Sequence, residues 1–118
     1  MRIVSFEPCF SVLDIARARA HYEQLGFTTS AHDDSYAFAH RDDLTIHLML
    51  VEGQALHAST TLFIHVDDAD ALAAEWRAAG VAVEGPTDYE YGQHEGLHRD
   101  PDGNVIRFGS PINLASAG

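Results

Sequence analysis

The feature that most restricts how this chain can fold is a repeat inside it. Shifted by 54 residues, Val12–Phe27 (VLDIARARAHYEQLGF) falls without a gap on Val66–Val81 (VDDADALAAEWRAAGV). Asp14 meets Asp68, Tyr22 meets Trp76 and Gly26 meets Gly80. Each copy reads as the end of a strand, an acidic helix start, a short helix, a glycine stop and a new strand. Asp14 suits an N-cap, because its carboxylate can accept from orphan backbone N–H groups at the positive end of the helix dipole. Ile15, Ala18, Tyr22 and Leu25 recur at helical spacing, and Ala69, Leu72, Ala73 and Trp76 do the same in the second copy. Each helix therefore has one stripe to bury. Two such units predict duplicated modules packed around a shared cavity, with function where they face each other.

The alternation of apolar residues supplies the strands. Ile3–Val12 reads as the first, with Phe10 and Val12 on one face and Glu7, Cys9 and Ser11 on the other. Phe27–Ser30, Tyr36–His40 and Leu44–Val51 follow, separated by turns at His32–Ser35 and Arg41–Asp43. This completes a β-α-β-β-β unit. Glu52–Ala58 is a polar connector, and Thr60–Val66 repeats the first strand. After the second helix come a short strand at Val81–Val83 and the irregular segment Glu84–Gly92, a candidate lid or binding loop. His94–Arg99 and Asn104–Phe108 close the pattern around the turn Asp100–Gly103, and the tail from Ser110 is expected to fray. The fold class is thus α+β, one domain over residues 1–118. Module 1 covers about 1–56 and module 2 about 57–118.

Composition narrows the function classes. A net charge of −11 argues against a nucleic-acid partner, which needs a basic face. It favours cationic ligands by focusing a negative field in any cleft, although an acidic surface also serves plain solubility. No apolar run approaches the roughly 20 residues of a membrane span, so no membrane association is expected. The amino-terminal MRIVSFEPCFSV lacks the pattern of a secretory signal. The single cysteine, Cys9, fits a reducing compartment. Together these point to the cytoplasm.

The repeat, the helix ends LGF and AAGV, and above all YGQHEGLHRDPDGNVIRF (Tyr91–Phe108) resemble the vicinal oxygen chelate superfamily of glyoxalases, extradiol dioxygenases and antibiotic resistance proteins. Within it the chain is most similar to the bleomycin resistance proteins, through RDDLTIHL (Arg41–Leu48), the run Ser59–Trp76 and the YGQHEGLHRDPDGN block. The resemblance implies tandem β-α-β-β-β modules forming curved mixed sheets around a cleft. It also implies a homodimer whose interface clefts sequester a cationic or aromatic antibiotic such as a bleomycin-type glycopeptide, without catalysis and without a cofactor.

Enzymes of that superfamily hold a divalent metal with His and Glu side chains. Carried over by position, the three ligands fall on Glu7, Thr61 and Arg107. Only Glu7 is a ligand type; a threonine cannot replace a histidine, and a guanidinium repels a cation. Another set, Glu7 with His47 and His65, would suit zinc or iron if the side chains converged, and a glyoxalase- or dioxygenase-type activity would follow. The plainer reading is that these are polar lining residues and that Glu7 pairs with Arg107. Neither a nucleophile elbow nor a phosphate-binding loop is present in the sequence.

The strand faces opposite the helices supply the candidate ligand-binding residues. They are Tyr36, Phe38, His47 and Met49 in the first module, and Thr61, Phe63, His65 and Arg107 in the second, with Tyr91 from the loop. A mostly apolar and aromatic wall with a few polar groups is the usual make-up of a small-molecule site. The resemblance places stacking aromatics at Phe63, Tyr91 and Tyr36. Phe63, His65 and Tyr91 stand where relatives carry tryptophan, and Gly96 stands where phenylalanine is common. Cationic groups of a ligand would meet Asp33, Asp34, Asp88 and Glu90. Tyr22 and Trp76 are expected in the core.

Overall fold

The structure, a computed structural model, describes residues 1–53 and 58–112. Two helices and eight strands follow one another as β1 (Cys9–Val12), α1 (Ile15–Gln24), β2 (Thr28–Asp33), β3 (Tyr36–Arg41), β4 (Leu44–Leu50), β5 (Thr61–His65), α2 (Ala69–Ala78), β6 (Glu84–Asp88), β7 (Gln93–Arg99) and β8 (Val105–Pro111). They make two four-stranded sheets with the same plan, β1-β4-β3-β2 and β5-β8-β7-β6. In each, the first pair is parallel and the other two are antiparallel. The α+β duplication predicted from the repeat is the observed architecture.

Both helices start as their sequences dictate. Asp14 accepts from the Arg17 N–H at 2.8 Å, and Asp68 accepts from the Ala71 N–H at 3.0 Å. Both are followed by glycines in the left-handed region, Gly26 at φ 87° and Gly80 at φ 83°. The predicted stripes are buried. In the first unit Phe10, Val12, Ile15, Ala18, Tyr22, Leu25, Ile46 and Leu48 form the core. In the second, Ala69, Leu72, Ala73, Trp76, Ile106 and Phe108 do so, and the Trp76 ring meets Phe108 edge-on at 5.2 Å.

By its contacts the chain divides into Met1–Thr60 with Asp100–Asn104, and Thr61–Arg99 with the chain from Val105 onward. The five residues between β7 and β8 thus belong to the first unit, where they build a buried polar knot. Asp100 Oδ1 accepts from the N–H groups of Asp102 and Asn104, both at 2.9 Å, and its Oδ2 accepts from the Tyr22 hydroxyl at 2.9 Å. Burial first, and then the Asp100 charge, hold the Tyr22 phenol well above its ordinary range. Asn104 is fully buried; it accepts from the Thr60 N–H at 2.9 Å and donates to the Ser11 carbonyl at 2.9 Å. Asp102 accepts from the Leu13 N–H at 3.1 Å and from the Arg17 guanidinium. In the sequence this segment reads only as a turn.

Several boundaries differ from expectation. The first strand begins at Cys9 and not at Ile3: Pro8 has no N–H for the ladder, and only its carbonyl is used, by His47 N–H at 2.9 Å. Val81–Val83 is not a strand, whereas Glu84–Asp88, read as irregular, is β6. Pro86 is tolerated there because β6 is an edge, where a missing N–H breaks no ladder bond. β2 runs on to Asp33, leaving a turn at Asp34 and Ser35. β8 continues past Ser110 to Pro111, paired with Gln93, so the tail stays in the sheet at least to there. Much of the predicted connector and the tail beyond Ile112 lie outside the described residues.

Replacing Asn104 with alanine strands the Thr60 N–H, the Ser11 carbonyl and part of Asp100 in the interior. A loss of about 3 kcal/mol is expected, against about 1 kcal/mol for Asp14→Ala at the exposed helix cap. Urea unfolding followed by Trp76 fluorescence checks both.

Candidate functional site

In the first unit α1 covers one face of the sheet, and the alternate residues of β1, β3 and β4 point the other way. Cys9, Phe38 and His47 lie in one row across the strands, and Ser11, Met49 and Tyr36 in the next. All but the exposed Cys9 are half-buried. The rings of Tyr36, Phe38 and His47 touch, with centroids 5.0 to 5.6 Å apart. This is the aromatic wall predicted from strand alternation.

A directed hydrogen-bond chain runs across that wall. His47 Nε2 lies 2.7 Å from Glu7 Oε1, and its Nδ1 lies 2.7 Å from the Tyr36 hydroxyl. An ionised carboxylate can only accept, so Nε2 donates to Glu7; with a single proton on the ring, Nδ1 accepts from the Tyr36 O–H. Partial burial, then the adjacent Cys9 thiol and the Glu7 carboxylate, raise the Tyr36 phenol above its ordinary value. The phenol keeps its O–H, which can donate to His47.

In the second unit the face opposite α2 is built around an ion pair. Arg107 reaches Glu95 Oε2 through Nε at 3.1 Å and Nη2 at 2.7 Å, and the Tyr91 hydroxyl donates to Glu95 Oε1. The carboxylate side chain is 4% exposed and the guanidinium side chain 42%. The same guanidinium lies over the Phe63 ring, 5.2 Å from its centroid, and Phe63 touches His65 at 5.0 Å. Gly109 makes room for this: a Cβ there would meet the Phe63 ring at 2.9 Å and Glu95 Cβ at 3.2 Å. Tyr89 and Tyr91 are exposed and stack on each other, 5.5 Å apart and 18° from parallel.

Within the first unit Glu7 pairs with His47, and within the second Arg107 pairs with Glu95. Glu95 was missed. Its signal was available, since it lies diagonally across from Arg107 in the antiparallel β7–β8 pair, within reach of a long side chain. Glu7 and His47 come together as expected of one metal option; His65 and Thr61 are exposed residues of the second unit. Among the described residues no group of three or more His, Cys, Asp or Glu side chains is arranged to hold a metal ion. Gly96 reflects packing, because a Cβ there would lie 2.8 Å from the Phe108 ring and 2.7 Å from the Glu84 carbonyl. Of the expected acidic contacts, Asp33 is tied to Ser35 and Asp88 to His94. An open groove of about 400 Å³ lies elsewhere in the first unit, lined by Asp14, Ala16, Arg19, Asp33 and Asp34 among others.

The profile of the Glyoxalase/Bleomycin resistance protein/Dioxygenase superfamily matches residues 3–108. The chain belongs to that superfamily. Several solved structures share its fold over nearly their whole length. One is a bleomycin resistance determinant encoded on the transposon Tn5, with TM-score 0.83, 20% identity, and coverage of 94% of this chain and 100% of that one. A second is a bleomycin-binding protein from bleomycin-producing Streptomyces verticillus complexed with copper(II)-bleomycin, with TM-score 0.78, 26% identity, and coverage of 93% and 98%. A third is a bleomycin-binding protein complexed with bleomycin, with TM-score 0.79, 19% identity, and coverage of 92% and 98%. No curated protein matches the chain in sequence at a significant level. Among the described residues of this superfamily member, no helix is long and apolar enough to cross a membrane.

Because Glu95 is nearly buried, the two ends of its ion pair are not equivalent. Arg107→Ala leaves a buried carboxylate with one neutral donor and should cost about 2 kcal/mol, discounted for the half-exposed guanidinium. Glu95→Gln leaves no buried charge and should cost about 1 kcal/mol. Urea midpoints of the two variants give the order; equal losses would contradict it.

Proposed function

We propose that this protein is a cytoplasmic small-molecule binding protein that sequesters a cationic or aromatic antibiotic of the bleomycin type, as a homodimer, at an interface cleft and without catalysis. The observation that carries the reading is the 26% identity and near-complete overlap with a bleomycin-binding protein solved with copper(II)-bleomycin. The helix-free faces support it chemically. Tyr36, Phe38 and Met49 on one, and Phe63 with Tyr91 on the other, are flat or polarisable surfaces suited to a planar heteroaromatic group. The net charge of −11 would draw in a cation and disfavours nucleic acid.

The non-catalytic part rests on donor chemistry. Of the positions where superfamily enzymes carry metal ligands, Arg107 has only N–H donors and is held by Glu95, and Thr61 offers a weak hydroxyl. Glu7 is engaged by His47. The dimer is supported by the arm that precedes β1, an edge strand: Ile3, Val4 and Phe6 are more than 80% exposed, an apolar surface that a second copy would cover.

Calorimetric titration with metal-free bleomycin and with its copper(II) form should show saturable binding near one equivalent per chain. Phe63→Ala should weaken it by about 1 to 3 kcal/mol, the usual worth of one stacked ring. No heat at high micromolar ligand would remove bleomycins as the ligand. Elemental analysis of protein purified without chelator tests the other half. Stoichiometric zinc, iron, nickel or manganese that is lost on Glu7→Gln would replace the sequestration reading with a metal-dependent enzyme.

A further inference from the structure

On the helix side of the second sheet, away from the proposed ligand face, a histidine is held on both sides by carboxylates. His94 Nδ1 lies 2.6 Å from Asp88 Oδ1 at the end of β6, and Nε2 lies 2.8 Å from Asp70 Oδ1 in the first turn of α2. Ionised carboxylates only accept, so both ring nitrogens must donate, and only the imidazolium has two N–H groups. We propose that His94 is a pH-dependent latch: when protonated it fastens the end of β6, and with it the Tyr89–Gly92 turn, to the start of α2.

The carboxylates around His94 favour the ion, and they outweigh its partial burial, which opposes it. α2 contributes Asp70, β6 contributes Asp88, and β8 places Ser110 opposite, with its hydroxyl accepting from the Ala69 N–H at 3.1 Å. Arg77, the cation of α2, is turned to the carbonyls of Val83 and Gly85. Hydrogen bonds to Asp70 and then to Asp88 raise the imidazole above its ordinary value. Such a group stabilises the latched state fully below its unlatched pKa of about 6.5, and that stability is lost as pH rises through the elevated one.

Deprotonation leaves one N–H for two carboxylates, so one of them faces a ring lone pair at hydrogen-bonding distance and that contact opens. Asp70 keeps the positive end of the α2 dipole as a second partner. Both carboxylates are largely exposed, 74% for Asp70 and 63% for Asp88, so hydration does not separate them; the α2 dipole does, and the β6 end is the one released. The turn that follows is closed by Tyr89 N–H to the Gln93 carbonyl at 2.8 Å and Gly92 N–H to the Tyr89 carbonyl at 3.0 Å. It carries Tyr91, whose hydroxyl crosses to Glu95. A proton on the helix side thereby sets how firmly an aromatic of the opposite face is held.

The test is a pH titration of the intact protein by two-dimensional NMR, reading the His94 ring together with hydrogen exchange at the Tyr89 and Gly92 amides. His94 should titrate above its ordinary value, with amide protection falling through the same midpoint. The latched-to-open ratio should change tenfold for each unit of elevation. Asp70→Asn and Asp88→Asn should each lower the midpoint. His94→Gln should abolish the inflection at the turn while Leu62–Ile64 amides stay protected. Three results would overturn the latch: an ordinary His94 midpoint, a midpoint unmoved by both asparagine variants, or turn protection that ignores the titration. Ligand binding enters none of these readouts, so the latch stands or falls apart from the proposed function.

Discussion

A single buried carboxylate organises the first unit. Asp100 gathers the Tyr22 hydroxyl, two backbone N–H groups of its own turn and the Asn104 amide, and Asn104 in turn satisfies Ser11 and Thr60. Each of these groups is costly to bury alone and inexpensive to bury together. The knot fixes where α1 lies through Tyr22, and where β1 lies through Ser11. With those placed, the register of β1 on β4 brings Cys9 beside His47 and so sets the geometry of the helix-free face.

The two helix-free faces share an electrostatic habit. Polar groups on them are engaged locally: Glu7 accepts from His47, and Glu95 is paired with Arg107 and accepts from Tyr91. What such a face offers a visitor is ring surface and oriented dipoles, with the half-exposed Glu7 carboxylate at the margin of the first. The strong negative field of the molecule resides on the exposed carboxylates and acts at a distance, on the rate of encounter more than on the fit.

Most of the scaffold was legible in the sequence because its signals are local and duplicated. The caps at Asp14 and Asp68, the glycine stops and the apolar stripes needed no knowledge of tertiary structure. Strand alternation also assigned Tyr36, Phe38, His47, Met49, Phe63 and Arg107 to the correct faces. What failed depended on partners distant in sequence. Alternation at Ile3–Phe6 could not reveal that the ladder to β4 stops at Pro8 although β4 itself runs back to Leu44, and the Gly-Pro pair of β6 read as a breaker because its edge position was unknown. Glu95 and His94 are neighbours in sequence yet serve opposite faces, and only the register of β7 between β6 and β8 shows which carboxylate or cation each one meets.

The contribution of Asp100–Asn104 to the first unit bears on how the protein is made. When the first sixty residues have left the ribosome, the N–H groups of Leu13 and Thr60, the carbonyl of Ser11 and the hydroxyl of Tyr22 still lack the partners that will satisfy them. Those partners are translated about forty residues later, between Asp100 and Asn104. The first half of a duplicated chain therefore cannot finish folding ahead of the second, and the nascent protein must hold its apolar stripe in waiting until Asn104 has been made.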